Sequence, residues 1–262
     1  MTRSGIVEAA IASNTAIAED VFRMELIYEN GAAPARPGQF VNIYLRERDM
    51  LLPRPISICH AAGGALTLVY GVVGAGTRAM SGYAPGSRIG VSAPCGNGFD
   101  IAAADGAGLI TLIGGGLGAP PLLMLAGALK SAGGVPVRAV LGFRGPTFLL
   151  DEFRACCDET LVATDDGSEG FCGTAFDLLK EVCGPSPGGD YFYSCGPPKM
   201  LRAVSRFAGG QGIPLQVSFE ARMGCGYGAC KGCVCAVEGR RAEGTPAMAS
   251  VANKRVCVDG PV

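Results

Sequence analysis

The chemistry of this chain is concentrated in its cysteines. Twelve are present beside a single histidine, and five of the twelve fall in the last 38 residues, in "CGYGACKGCVC" and "RVCVDGPV". Cys225, Cys230 and Cys233 follow a C-x4-C-x2-C spacing, and Cys257 comes at a distance. One loop thus offers three thiolates and a later segment a fourth, the ligand spacing of plant-type [2Fe-2S] proteins. The small residues between them let the loop wrap a cluster and aim backbone N–H groups at its sulfurs. Structural zinc is the alternative, but its sites usually show two C-x2-C knuckles, and only Cys230/Cys233 forms one here. Cys235 reads as a non-ligand neighbour.

The remaining cysteines carry less. Cys59, Cys95, Cys156, Cys157, Cys172 and Cys183 are scattered and read as packing residues, since free cysteine is among the most buried types. Cys195, in "SCGPPKM", closes an expected strand at the carboxyl edge of a sheet, where ligands of open α/β sheets bind. Gly196 and Pro197 follow it. His60 is given no role.

Two further motifs suit anions. "GGGLGA" (Gly114–Ala119) fits G-x-G-x-x-A between an apolar strand and a helix. Gly114 permits a tight turn, Gly116 lets backbone approach a pyrophosphate, and the helix N-terminus beyond Gly115 and Gly118 offers N–H groups. The acidic residue that a ribose would require at the end of the next strand is replaced by Arg144. The second motif is "RPIS", Arg54, Pro55, Ile56 and Ser57. Placed on one side of a locally twisted strand, its guanidinium and hydroxyl would hold a phosphate. "GAGT" (Gly74–Thr77) is expected to present unobstructed N–H groups to the same anion.

These residues need elements to position them. Up to about Phe99 the chain reads as short β-strands, Val21–Tyr28, Gly38–Leu45, Arg54–Ala61 and Ala65–Gly74, with another within Gly86–Phe99. Such a run suggests a small closed barrel. From Leu109 strands and helices alternate, which calls for a parallel sheet covered on both faces. The expected organisation is an antiparallel β-barrel over 1–100, an α/β domain over 101–214 and a cysteine-rich segment over 215–262. With 22 basic and 23 acidic residues, nothing favours nucleic acid or an anionic membrane as partner. The first residues lack a secretory apolar core and no run is long enough to span a membrane, so a cytoplasmic protein is expected. In a reducing compartment, metal ligation is a better reading of the cysteines than a disulfide framework.

Taken in order, "RPIS", "GAGT", "GGGLGAPPLL" and "CGPPKML" resemble the ferredoxin–NADP reductase superfamily, with a flavin-binding barrel before a nicotinamide-binding domain. The segment "FEARMGCGYGACKGCVC" and the "RVCVDGPV" ending resemble, more narrowly, the electron-transfer subunits of type B dihydroorotate dehydrogenases. The resemblance implies FAD at Arg54, Pro55, Ile56, Ser57, Val69, Tyr70, Gly71, Gly76 and Thr77. It implies NAD(H) at Gly114, Gly115, Gly116, Gly118, Cys195, Gly196 and Pro197, and a [2Fe-2S] cluster on Cys225, Cys230, Cys233 and Cys257. It further implies a separate FMN-containing catalytic subunit that oxidises dihydroorotate to orotate, in a heterotetramer of two subunits of each kind. Electrons would pass from that FMN through the cluster to FAD, then as hydride to NAD. No catalytic acid or base is expected in this chain. Gly71 departs from the family, which commonly has arginine after the tyrosine. Related assignments are the small subunit of a sulfide dehydrogenase or of an NADH-dependent ferredoxin:NADP oxidoreductase. From another class comes a zinc-stabilised nucleotide-binding redox sensor, which iron and flavin content would distinguish.

Overall fold

A computed structural model describes residues 5–28, 34–47, 49–184, 189–238 and 251–262. The first strands are β1 (Ile6–Ala18), β2 (Val21–Tyr28), β3 (Phe40–Tyr44), β4 (Arg54–Ala62), β5 (Ala65–Gly71) and β6 (Arg88–Ser92), with a short helix α1 (Ala75–Ser81) between the last two. They close into a barrel in the order β1-β2-β5-β4-β3-β6, with β6 returning to β1. The closed barrel is as expected, but β1 is an addition. Its alanine-rich sequence has weak β-propensity; it is held by pairing along both edges and by burial of Ala9 and Ile11. Val41, Ile43, Ile58, Leu66, Leu68 and Val91 fill the interior.

The second half holds β7 (Leu109–Gly115), α2 (Ala119–Ala132), β8 (Val137–Phe143), α3 (Leu150–Cys156), β9 (Glu159–Thr164), β10 (Phe171–Cys172), α4 (Ala175–Val182), β11 (Asp190–Cys195), α5 (Pro198–Gln211) and β12 (Leu215–Ser218). The strands form one sheet in the order β10-β9-β8-β7-β11-β12, and every pair in it is parallel. Leu122 and Leu125 of α2 and Phe153 of α3 belong to one core cluster, and Leu178 of α4 and Val204 of α5 to another. Chain order runs outward from β7 to β10 and then jumps back across β7 to β11. The reversal therefore lies between β7 and β11, where open α/β sheets bind ligands.

The boundary expected after residue 214 needs moving. Leu215–Ser218 pairs with Phe192–Cys195 as the sixth strand of the sheet, so the cysteine-rich segment starts beyond it. That segment contains the antiparallel pair β13 (Val234–Glu238) and β14 (Val251–Arg255), followed by α6 (Val256–Asp259).

The barrel and the α/β unit share a core. Cys59 of β4 and Val69 of β5 belong to the cluster that contains Leu122 and Leu125 of α2. Phe99 meets Tyr193 edge to face at 5.5 Å, and the Tyr193 hydroxyl donates to the Asp100 carbonyl at 2.8 Å.

Candidate cofactor sites

The barrel motif is assembled in part as expected. Arg54 opens β4 and its guanidinium lies against the first turn of α1: a Cβ on Gly76 would sit 2.0 Å from Arg54 Nε. A larger residue at 76 would have to push the guanidinium aside, so "RPIS" and "GAGT" do meet. Two expectations fail here. β4 pairs residue for residue with β3 from Arg54 to Ser57, so its pleat is unbroken and places Arg54 and Ser57 on opposite faces. The amides of "GAGT" are not all open either. Thr77 Oγ1 accepts from the N–H of Val73 at 2.9 Å and of Gly74 at 3.3 Å, which holds the loop's shape and occupies two donors.

Val69, Tyr70 and Gly71 lie at the end of β5, but the Tyr70 ring points inward. It stacks on Phe22 and its hydroxyl donates to Asn14 Oδ1 at 2.9 Å; burial pushes its pKa up to about 12. This stretch therefore offers a ligand its backbone rather than a phenol. At Gly71 a Cβ would fall 2.7 Å from Leu117 Cδ1. A side chain at this position would meet the end of Leu117 in the glycine-rich turn. The end of β5 thus lies directly against that turn.

The turn after β7 and the turn after β11 pack backbone on backbone. A Cβ on Gly118 would lie 2.0 Å from the Cys195 carbonyl oxygen, one on Gly196 3.0 Å from the Gly115 nitrogen, and one on Gly115 2.9 Å from Pro197 Cδ. These glycines are required by each other. Gly116 differs: its φ is +52° and nothing approaches its Cβ position, so it faces open space at the switch point. The structure thus brings Gly114, Gly115, Gly116, Gly118, Cys195, Gly196 and Pro197 together. The Cys195 thiol itself is buried beside Ser218, and burial raises its pKa to about 12, so backbone is what faces outward. Arg144 follows β8 directly and is exposed. His60 is also exposed, on β4. Cys172 is exposed as well and is not the packing residue expected.

The four cysteines of the C-terminal spacing also converge, as two pairs. Cys225 and Cys230 exchange backbone-to-sulfur hydrogen bonds, the N–H of Cys225 to Cys230 Sγ at 3.5 Å and the N–H of Cys230 to Cys225 Sγ at 3.4 Å. Cys233 Sγ and Cys257 Sγ lie 3.3 Å apart, in a small core with Phe40 and Val256. Gly232 N–H also points at Cys230 Sγ, at 3.4 Å. Desolvation raises the Cys225 thiol, but N–H donors of Cys230, Tyr227 and Ala229 outweigh it and hold its pKa near 6. Cys257 is raised to about 11 by burial and by the neighbouring Cys233. Among the described residues no three metal-binding side chains are gathered tightly enough to hold a single ion. Two thiol pairs with N–H groups turned to sulfur suit a two-iron cluster, each iron taking two thiolates. They fit it better than one tetrahedral zinc. Cys235 lies on β13, packed beside the same core.

Comparison with known proteins agrees with this geometry. The family model for the iron–sulfur cluster binding domain of dihydroorotate dehydrogenase B matches residues 220–262. Over 259 residues the chain is 40% identical to the "dihydroorotate dehydrogenase B (NAD(+)), electron transfer subunit" of Geobacillus thermodenitrificans, covering 96% of this chain and 94% of that one. The chain belongs to the dihydroorotate dehydrogenase B electron transfer subunit family. Its member from Fusobacterium nucleatum is 36% identical, covering 98% and 96%. Among solved structures, one of an NADH-dependent reduced ferredoxin–NADP oxidoreductase superposes with TM-score 0.80 and 32% identity, covering 98% of this chain and 88% of that one. Phthalate dioxygenase reductase, at TM-score 0.65 and 20% identity over 84% and 70%, shares the fold.

Sequence reasoning missed Asn42, Glu220 and Tyr44. Glu220 follows β12 at the same sheet edge as Cys195, with its carboxyl pKa raised by desolvation. Tyr44 lies beside Cys225 and Tyr227, and burial raises its pKa. The signal for Asn42 was present: it is a lone amide within the strand "FVNIY".

Proposed function

We propose that this chain is the electron-transfer subunit of a type B dihydroorotate dehydrogenase. It carries electrons between the FMN of a separate catalytic subunit, where dihydroorotate becomes orotate, and NAD. The observation that carries the reading is the pair of thiol pairs seated on β3 of the same barrel whose β5 end meets the glycine-rich turn. The similarity to subunits of that name over nearly the whole chain supports it.

Residues 1–100 are read as the flavin barrel, 101–218 as the nucleotide domain, and the remainder as the cluster segment. FAD would be held by Arg54, which supplies a charge-assisted contact to its phosphate, with Pro55, Ile56 and Ser57 along β4, the backbone of Val69, Tyr70 and Gly71, and Gly76 and Thr77. NAD(H) would lie over Gly114–Gly118 and Cys195–Pro197, and the [2Fe-2S] cluster would take Cys225, Cys230, Cys233 and Cys257. A bound flavin supplies the conversion between a two-electron hydride and the single electrons a cluster accepts. The chain's own part is to bind and orient: Gly71 and Leu117 set the barrel against the nucleotide turn, and the buried Tyr70 keeps its hydroxyl out of the chemistry. No side chain here is assigned acid–base work on orotate. The assembly is read as a heterotetramer of two subunits of each kind, working in the cytoplasm; among the described residues no helix is long and apolar enough to cross a membrane.

A second reading has its own support. The likeness to the NADH-dependent ferredoxin–NADP oxidoreductase structure, at 32% identity, suits a subunit serving a different partner. Anaerobic, orotate-dependent oxidation of NADH by the complex purified on this chain separates the two. A clear rate is expected. No rate, from a preparation that retains flavin and iron–sulfur absorption, would overturn the dihydroorotate assignment and favour the second partner.

A further inference from the structure

β3 carries its side chains alternately to the two sides of the barrel wall. Val41 and Ile43 enter the barrel core, while Phe40 joins Cys233 and Cys257 on the other side. Asn42 shares that outer row with Phe40 by alternation. It is 1% exposed, deep beneath the cysteine loop. Its backbone N–H donates to Ser92 Oγ at 2.9 Å, which fixes the strand locally. Its side-chain Nδ2 donates to the Gly226 carbonyl at 3.3 Å and lies 3.8 Å from Cys95 Sγ. Its Oδ1 is buried without a hydrogen-bond partner, an arrangement that costs free energy unless something else requires it.

The loop is shaped to receive this amide. Gly226 has φ +74°, and a Cβ there would fall 2.2 Å from Asn42 Oδ1 and 2.5 Å from Nδ2. The glycine between Cys225 and Tyr227 is thus required twice, by its backbone conformation and by the amide pressed against it. Holding the Gly226 carbonyl fixes the peptide that leads into the rest of the loop, whose Cys230 N–H lies 3.4 Å from Cys225 Sγ.

We propose that Asn42 is a positioning residue for the iron–sulfur cluster: a barrel side chain that pins the cysteine loop at Gly226 and so keeps the loop's N–H groups directed at Cys225 sulfur. This rests on the cluster assignment above. Hydrogen bonds to cluster sulfurs favour the reduced form, which carries the extra negative charge, and so raise the reduction potential. Groups that orient metal ligands typically change metal retention or activity by 10–100-fold when removed.

The test uses the full chain in its complex, as wild type, Asn42→Ala and Asn42→Leu. Leucine is branched like asparagine but larger, and alanine is smaller, so an effect shared by both variants reports the lost amide rather than a change of volume. Three quantities are measured: FAD content, the rate at which visible cluster absorption bleaches in EDTA, and the cluster potential from an EPR-monitored redox titration. Both variants should retain FAD, lose the cluster about tenfold faster and show a more negative potential. Wild-type bleaching and potential in Asn42→Leu would reduce the residue to a space-filler and overturn the proposal. Loss of FAD together with the cluster would overturn it too, by showing a role in the barrel itself. A wild-type chain that never holds a cluster would instead sink the cluster assignment, and this proposal with it.

Discussion

Gly118→Ala is the most direct probe of how the two turns at the sheet edge are built. Gly118 has φ −78° and ψ −15°, an ordinary right-handed conformation, so alanine there brings no backbone strain. Its effect comes from contact alone. The added methyl would sit 2.0 Å from the Cys195 carbonyl oxygen, 2.3 Å from its carbon and 2.6 Å from the Gly196 nitrogen, all of them backbone atoms that cannot rotate away. Reaching ordinary contact at 3.4 Å requires the β7 and β11 turns to separate by about 1.4 Å. Overpacking of this kind costs about 1–3 kcal/mol, less about 0.4–1 kcal/mol regained because alanine restricts the unfolded chain. The functional effect should be larger than the loss of stability, since misplacing a reacting group by about 1 Å can cost roughly 100-fold in rate. Anaerobic stopped-flow reduction of bound FAD by NADH should therefore slow by about two orders of magnitude, with the iron–sulfur spectrum unchanged. Gly116→Ala is the control. It meets open space but must adopt φ +52°, so it should lose about 1–2 kcal/mol of stability without displacing the opposite turn. A Gly118→Ala protein with wild-type stability and wild-type flavin reduction would refute the argument from packed turns.

Cys230→Ser should abolish the visible iron–sulfur spectrum and electron exchange with the catalytic subunit, while NADH still reduces FAD at close to the wild-type rate; loss of both activities in stopped-flow traces would count against separate sites. Arg54→Ala should weaken FAD retention by about 1.5–3 kcal/mol, the worth of a charge-assisted hydrogen bond, read by fluorescence titration of the deflavinated protein. Gly76→Ala should act in the same direction, because its methyl would fall on the Arg54 guanidinium, and unchanged affinity in both variants would remove Arg54 from the flavin site.

Most of the architecture was legible where residue type and period agree. β2, β4 and β5 announce themselves by β-branched and aromatic residues between Gly and Pro breaks, and β7 by an apolar run ending in glycines. β1 was not legible, because its alanines gain their place from neighbours on both edges rather than from local preference. β12 was obscured by the cysteines after it, although "LQVS" completes the sheet. The cluster spacing could be read outright, because ligand chemistry fixes residue type. The sidedness of "RPIS" could not, because it depends on a pleat that only pairing with β3 enforces. Nor could the inward turn of Tyr70, which Asn14 and Phe22 decide from strands remote in sequence.

The barrel does more here than hold one cofactor. On one flank, Phe40 and Asn42 of β3 reach the cysteine loop, Phe40 against Cys233 and Cys257 and Asn42 against Gly226. On the adjoining strands, Cys59 of β4 and Val69 of β5 share a core with α2, and Gly71 abuts Leu117 of the glycine-rich turn. β3 and β4 are hydrogen-bonded neighbours, so the cluster segment and the nucleotide domain are referred to the same pair of strands. The C-terminal tail tightens the arrangement: the N–H of Phe219 donates to the Pro261 carbonyl at 2.7 Å, and Asn97 Nδ2 donates to the Asp259 carbonyl at 3.2 Å. A protein that must exchange hydride on one side and single electrons on the other needs both distances fixed relative to one flavin. Seating both on one closed barrel, which has no free edge along which to slip, sets those distances in the fold itself.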